Sequence, residues 1–398
     1  MWFTSRSVGE NIVGNPLYSW TGYDSEGLMT HWKAPRENSV DALRHGMEHG
    51  DGVEFDLRMD QEGSLVIYHD EFVPGSGPIG ERCIEALSTS ELRSSGILTF
   101  EELLSDNRFT ESWQEGGKTV DIEIKIPHPM NKIDTDSQII SIMRKIESDL
   151  GHLDLPDKST VVSSFSPRIG VAARKSEVDI PVTRLVPHIR AWGRYWRVKR
   201  AVAMPNFART SFQGVARALR GEGMESIGMA LEYLVGWTRW VNPRPPVGLY
   251  GRGLERFQKS REGMGVFVWP APLRYEDALV DAGVSLVSDE MDPTIHTKPD
   301  GSPRWSRPAS QPLDKEWRRR FQRAEVSDHS DLIREASSSL PTWSELSDGA
   351  RNLIIQEQAK KMRWPGNPGK WTAEEGNGIP WGSPRILGHR GAGKTHSS

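Results

Sequence analysis

From about residue 27 onward, short apolar runs alternate with stretches of helical periodicity. GLMTH precedes the helical pattern ENSVDALRHGMEHG, which precedes the strand-like GVEFDLRM. LVIYH leads to FEELLS, and TVDIEIKIP leads to the amphipathic DSQIISIMRKIESDL. STVVSSF then precedes SPRIGVAARK, MGVFVWP precedes YEDALVDAG, and VSLVSD ends the series. Strands separated by helices cannot be joined by tight hairpins, so this order predicts an α/β protein with a parallel sheet. A span of about 260 residues suits a (β/α)8 TIM barrel, with a doubly wound open sheet as the structural rival.

Residues 188–262 interrupt the rhythm. Between Arg190 and Arg220 the chain carries Arg194, Arg197, Lys199, Arg200, Arg209 and Arg217, no acidic residue, and the aromatics Trp192, Tyr195, Trp196, Phe207 and Phe212. Such a segment is a solvated excursion over the barrel mouth, a lid that attracts an anionic substrate, or a peripheral membrane contact through 190–240. After Asp289 the composition shifts again. Residues 293–383 read as a linker with two helical patterns, around LDKEWRRRFQRA and SELSDGARNLIIQEQAKKM, and 384–398 form a separate tail. Residues 1–26 are an N-terminal extension to a barrel spanning 27–292.

Composition narrows the possible chemistry. A formal net charge of −4 excludes a globally basic nucleic-acid binder, and a single cysteine, Cys83, excludes a disulfide framework or a cysteine zinc site. The first residues lack the apolar core of a signal peptide, and no apolar run approaches the roughly 18 residues that span a bilayer. The expectation is a soluble, cytoplasmic protein.

Strand parity carries the chemical argument. In GVEFDLRM, period-two alternation puts Val53, Phe55 and Leu57 on one face and Glu54, Asp56 and Arg58 on the other. In VDIEIKI, Asp121, Glu123 and Lys125 share a face in the same way. Carboxylates converging inside a barrel repel one another unless paired or bound to a cation, and oxygen ligands favour Mg²⁺ or Ca²⁺. The alternative is a set of structural ion pairs with Arg58 and Lys125. His31 follows the first predicted strand and His69 ends LVIYH, at the strand ends where barrel enzymes keep their chemistry. Histidine is the side chain best placed to move protons near neutral pH, as phosphodiester cleavage requires.

The ordered segments THWKAPRENSVDAL, GVEFDLRMDQEGSLVIYHDEFV, ILTFEELL, DIEIKIP, SSFSP, VFVWP and GVSLVSDEMDP resemble the successive motifs of the glycerophosphodiester phosphodiesterase family, over about residues 27–292. The resemblance implies a TIM barrel. It also implies a general acid/base pair in His31 and His69, metal ligands in Glu54, Asp56 and Glu123, and a phosphate-contacting lysine in Lys125. Glu37 matches the acidic position of the first motif, and Trp269 is a candidate pocket wall or an ordinary barrel aromatic.

One departure stands out. The family's first motif is His-Arg-Gly, whose arginine clamps the phosphate, whereas this chain reads His31-Trp32-Lys33. Tryptophan cannot supply a bidentate fork. Sphingomyelinase D-type relatives also lack that arginine and form a cyclic phosphate.

The tail PRILGHRGAGKTHSS matches a P-loop pattern formally, but too few residues follow Thr395 to build the phosphate-binding helix. It also resembles the opening strand of a second, truncated or separately encoded barrel. Completion of the first site by His389 and Arg390 and a disordered tail are the alternatives, the latter being the commoner fate of such a segment.

The implied function is metal-dependent hydrolysis of a glycerophosphodiester to glycerol 3-phosphate and an alcohol, on a small-molecule or lysolipid-headgroup substrate. A sphingomyelinase D-type lipid phosphodiesterase and a weakly catalytic phospho-ligand-binding barrel are the alternatives.

Overall fold

The computed structural model describes residues 32–77, 80–115, 117–186, 188, 196–242, 244–261, 263–361, 378–380 and 382–395. Eight strands close into one barrel: β1 (Gly52–Met59), β2 (Thr119–Ile124), β3 (Thr160–Ser164), β4 (Val182–Leu185), β5 (Ser226–Ala230), β6 (Gly265–Trp269), β7 (Ser285–Ser288) and β8 (Ile386–His389). Every neighbouring pair is parallel. The expected TIM barrel is what the chain forms.

The last strand is not where the sequence reading puts it. That reading gives the opening strand to GLMTH, which lies outside the described residues, and assigns the tail to a second barrel. Instead, Leu387, Gly388 and His389 of β8 lie opposite Gly52, Val53 and Glu54 of β1. On its other side, Ile386, Leu387 and Gly388 lie opposite Leu286, Val287 and Ser288 of β7. A seven-stranded sheet would expose two open rows of backbone N–H and C=O groups, and β8 satisfies both. The division of the chain at residue 292 is therefore corrected: the barrel runs from β1 to β8, and the intervening segment is its longest connection.

The parity predicted for β1 and β2 holds. Val53, Phe55 and Leu57 are fully buried with Val120, Ile122 and Ile124 in the core between barrel and helices. The opposite faces point into the barrel. There Val161, Phe267, Val287 and Leu387 form a separate apolar layer, with Trp269 packed against it.

Close backbone approach explains the glycines that follow β8. Gly391 has φ +91°, and a Cβ there would come within 2.4 Å of the Ala42 backbone in the helix Val40–His49. A Cβ on Gly46 of that helix would meet the Gly391 carbonyl oxygen at 2.4 Å. The helix begins at Ser39, whose side chain accepts from the Ala42 N–H.

At the opposite end, Asp51 ties the connection to the barrel floor. Its carboxylate accepts from Ser310 N and Oγ, both at 2.7 Å, and from Ile386 N at 3.0 Å. Lys118 donates to the Gly50 carbonyl at 2.7 Å and to Ser310 Oγ at 3.0 Å. Among its described residues the connection holds three α-helices, Lys315–Arg323, His329–Ser339 and Asp348–Lys361. The sequence reading expects the first and third. The middle one buries Leu332 and Ala336 against Trp305, Trp317 and Phe321, but its serines weaken the local helical signal.

Leu65–Ile67 is likewise not a barrel strand. It runs antiparallel to the end of β1 and pairs with Leu98–Thr99. Among the described residues, no helix is long and apolar enough to cross a membrane.

Candidate active site

Glu54 and Asp56 on β1 and Glu123 on β2 share the inward face because they sit two apart, or opposite one another, in register. One oxygen of each lies within 4.8 Å of the others, in a group that could hold a metal ion. All three are buried, and Glu54 Oε1 has no hydrogen-bond partner. Burial first, and then repulsion from Asp56 and Glu123, raises the Glu54 carboxyl well above the usual carboxylate range. An orphaned buried oxygen beside two other carboxylates is the environment a hard divalent cation relieves, so these three residues fit the expected metal.

Lys125 stands against the same group, with Nζ 2.7 Å from Asp56 Oδ1 and 2.5 Å from Glu123 Oε1. Burial alone would raise Asp56, but the charges of Lys125 and Arg390 outweigh it and hold that carboxyl well below its usual range. The expected phosphate-contacting lysine therefore sits at the triad.

The tail supplies the rest of the site. Arg390 Nε lies 3.2 Å from Asp56 Oδ2, Nη1 lies 2.6 Å from Glu37 Oε1, and its backbone N–H donates to Glu54 Oε2 at 3.0 Å. Asn38 donates from its backbone N–H to the Arg390 carbonyl and from Nδ2 to Asp56 Oδ2, both at 3.0 Å. Glu37 also accepts from Thr395 N at 2.6 Å. The PREN stretch thus grips the loop that follows His389, although the two lie at opposite ends of the chain.

Two imidazoles flank the triad. His389 Nε2 is 3.7 Å from Glu54 Oε2, and its Nδ1 is 2.7 Å from Asp289 Oδ1 at the end of β7. Trp269 Nε1 lies 3.1 Å from the same Nδ1. One nitrogen cannot donate to the carboxylate and accept from the indole at once, and the charge-assisted bond to Asp289 is the stronger. Burial pushes Asp289 up, but His389 and Lys394 pull it down to about 2. His69 is held in the same manner, with Nδ1 2.7 Å from Asp70 Oδ1. It reaches the site from the loop after Leu65–Ile67, where its carbonyl accepts from Arg58 Nη2 at 3.1 Å. Its position on a loop corrects the expectation of a barrel-strand end. Burial, followed by the Lys125 charge, lowers His69 to about 4, and burial lowers His389.

The site opens into a cavity of about 860 Å³. Glu54, Glu123, Lys125, His69, His389, Arg390 and Lys394 are among its polar lining. Phe165, Leu185, Val186, Met229 and Phe267 give it an apolar lining as well, and Trp269 also lines it, with Lys394 Nζ 5.0 Å from its ring centre. Trp269 is thus a pocket wall.

The structure brings together Glu54, Asp56, His69, Glu123 and Lys125. His31 lies outside the described residues. Trp32 is not a cavity residue; its ring packs 4.8 Å from that of His45 on the first helix. The missing-arginine departure is therefore corrected, because Arg390 supplies an arginine directly after a strand-end histidine. Sequence reasoning weighs His389 and Arg390 here only as an alternative, on the signal of the GHRGAG string, and misses Asp289 and Lys394 as site residues.

A parallel barrel with buried carboxylates, basic side chains and two imidazoles at one mouth is the architecture of a barrel enzyme for anionic substrates. The family model described as Glycerophosphoryl diester phosphodiesterase family matches residues 25–225, half of the chain, and the chain belongs to that family of phosphoric diester hydrolases. No curated protein matches the sequence. Among solved structures, the chain is similar to a phosphodiesterase of Oleispira antarctica in complex with the product sn-glycerol-3-phosphate (15% identity, 64% of this chain and 87% of that one, TM-score 0.42). It is also similar to glycerophosphodiester phosphodiesterases of Thermotoga maritima (17%, 64% and 89%, TM-score 0.39) and Parabacteroides distasonis (18%, 68% and 90%, TM-score 0.43).

Proposed function

We propose that this chain hydrolyses glycerophosphodiesters to glycerol 3-phosphate and an alcohol, with His69 and His389 as the proton-transfer pair. The observation that carries the proposal is the approach of His389 to within 3.7 Å of Glu54, beside the carboxylate triad. Glu54, Asp56 and Glu123 would hold a divalent cation, Mg²⁺ or Ca²⁺, which supplies charge neutralisation at the phosphate and acidifies the attacking hydroxyl. Lys125 and Arg390 add positive charge where the phosphate oxygens gain negative charge.

Asp70 and Asp289 each fix an Nδ1, which leaves the Nε2 lone pair of each ring to accept a proton. One histidine takes the proton of the attacking hydroxyl or water as the new P–O bond forms. The other enters the step as its imidazolium, having taken a proton from solvent, and gives its Nε2 proton to the alkoxide as the P–O bond to the alcohol breaks. In this scheme His389 carries the role that the sequence resemblance assigns to His31.

The apolar lining of the cavity favours a second reading, a lipid-type diester whose attack by a neighbouring hydroxyl gives a cyclic phosphate. The test is a panel of soluble and acyl-bearing phosphodiesters, assayed with Mg²⁺, Ca²⁺ or EDTA on wild type and His69→Ala. Glycerol 3-phosphate release that requires both cation and His69 supports the proposal, and cyclic phosphate selects the second reading. Activity that survives both EDTA and His69→Ala overturns both.

A further inference from the structure

The connections that follow β4 and β5 leave the barrel at the same end as the site. The first includes the helix Trp196–Arg209, whose Ala203 lines the cavity. The second follows Gly228, Met229 and Ala230, also cavity residues, and includes the turn Thr238–Trp240. The two touch: the Arg200 guanidinium lies 5.9 Å from the Trp237 ring centre, and Asn242 Nδ2 donates to the Ala208 carbonyl at 2.8 Å.

Their outer surface is unusual for a solvated face. Val198 and Val202, one helical turn apart, are 60% and 74% exposed, and Trp237 and Trp240 are 56% and 63% exposed. Arg197 is exposed beside Val198, and Arg239 lies 5.5 Å from the Trp240 ring centre. No residue from Trp196 to Gly221 or from Tyr233 to Leu254 is acidic, in a chain whose net charge is −4. Exposed valines and indoles rimmed by arginines, with no carboxylate among them, complement a negatively charged interface with an apolar interior. Indole rings favour that boundary, and arginine pairs with lipid phosphate there.

We propose that the face formed by Trp196–Arg209 and residues 237–240 docks the barrel mouth on an anionic lipid surface. Charge complementarity selects that occupant over a neutral bilayer or a second copy of this chain, whose matching face would bring arginine against arginine. The docked orientation turns the cavity toward the lipid, because the first connection lines the cavity through Ala203 and the second leaves β5 directly after the cavity residues Gly228, Met229 and Ala230.

The test is co-sedimentation of the full chain with phosphatidylcholine vesicles, with and without phosphatidylglycerol. The chain is expected to sediment with the anionic vesicles only, and added salt should weaken the binding. Arg197→Gln combined with Arg200→Gln should lower the partition coefficient by about thirtyfold, and Trp237→Ala combined with Trp240→Ala should also lower it. Hydrolysis of a soluble glycerophosphodiester should stay unchanged in both variants, which separates this proposal from the function proposed above and shows that the variants are folded. Absence of sedimentation, equal sedimentation with neutral vesicles, or unchanged binding in both variants overturns the proposal. So does a dimer in sedimentation velocity that the tryptophan variant dissolves, which would assign the face to self-association.

Discussion

The Arg390 guanidinium lies 2.6 Å from the Glu37 carboxylate across 353 residues of sequence. Both side chains are nearly sealed from solvent. The pair joins the two ends of the described chain at the rim of the cavity, with Asp56 on the other side of the guanidinium.

That burial sets the cost of removing the arginine. Arg390→Met would leave Glu37 and Asp56 without their shared cation. A broken buried pair costs about 3–5 kcal/mol because a charge stays behind unpaired. Urea denaturation should show a loss of that size, together with a fall in activity. A Glu37→Gln, Arg390→Met double variant should recover part of the stability and none of the activity.

Gly391→Ala tests how closely β8 and the first helix must approach. The new methyl group would sit 2.4 Å from the Ala42 backbone, at a φ of +91° that L side chains rarely adopt. Strain of this kind costs about 1–3 kcal/mol. The midpoint of chemical denaturation should fall accordingly, whereas Gly63→Ala, where the built Cβ meets nothing within 4 Å, should cost less.

Stability should also depend on pH through the first helix. Burial, followed by the neighbouring His45, lowers the His49 imidazole from its ordinary 6.5 to about 4. Between those values the unfolded chain binds a proton that the folded chain does not. Stability from this group is therefore fully present above pH 6.5 and is lost as the pH falls toward 4. Melting temperatures measured across that window should drop, and His49→Gln should flatten the drop. An equally steep profile in the variant would place its origin elsewhere.

Metal binding predicts a thermal shift independent of turnover. A ligand that binds only the folded state, at a hundred times its Kd, adds about 2.7 kcal/mol. Mg²⁺ or Ca²⁺ should raise the melting temperature of wild type, EDTA should reverse the rise, and Glu123→Gln should remove most of it.

Much of this was legible in the sequence, for identifiable reasons. Period-two alternation in GVEFDLRM and VDIEIKI is local, so the inward carboxylates Glu54, Asp56 and Glu123 followed from parity alone. LVIYH was misplaced because a short apolar run carries no information on its partner, and Leu65–Ile67 pairs antiparallel with the end of β1. The identity of the eighth strand was harder still. ILGH reads as a strand wherever it lies, but its docking between β7 and β1 depends on contacts hundreds of residues away. The clue was the conflict between His31-Trp32-Lys33, which lacks the family arginine, and His389-Arg390-Gly391, which has it.

The central claim is that the C-terminal strand, and not the N-terminal motif, furnishes the second histidine. The most direct measurement compares His389→Ala with His31→Ala in release of glycerol 3-phosphate from a soluble glycerophosphodiester with the preferred divalent cation. Loss of one proton-transfer group predicts a fall of about 10²–10⁴-fold for His389→Ala, with His31→Ala close to wild type. Full activity in His389→Ala, or a matching collapse in His31→Ala, would contradict the account.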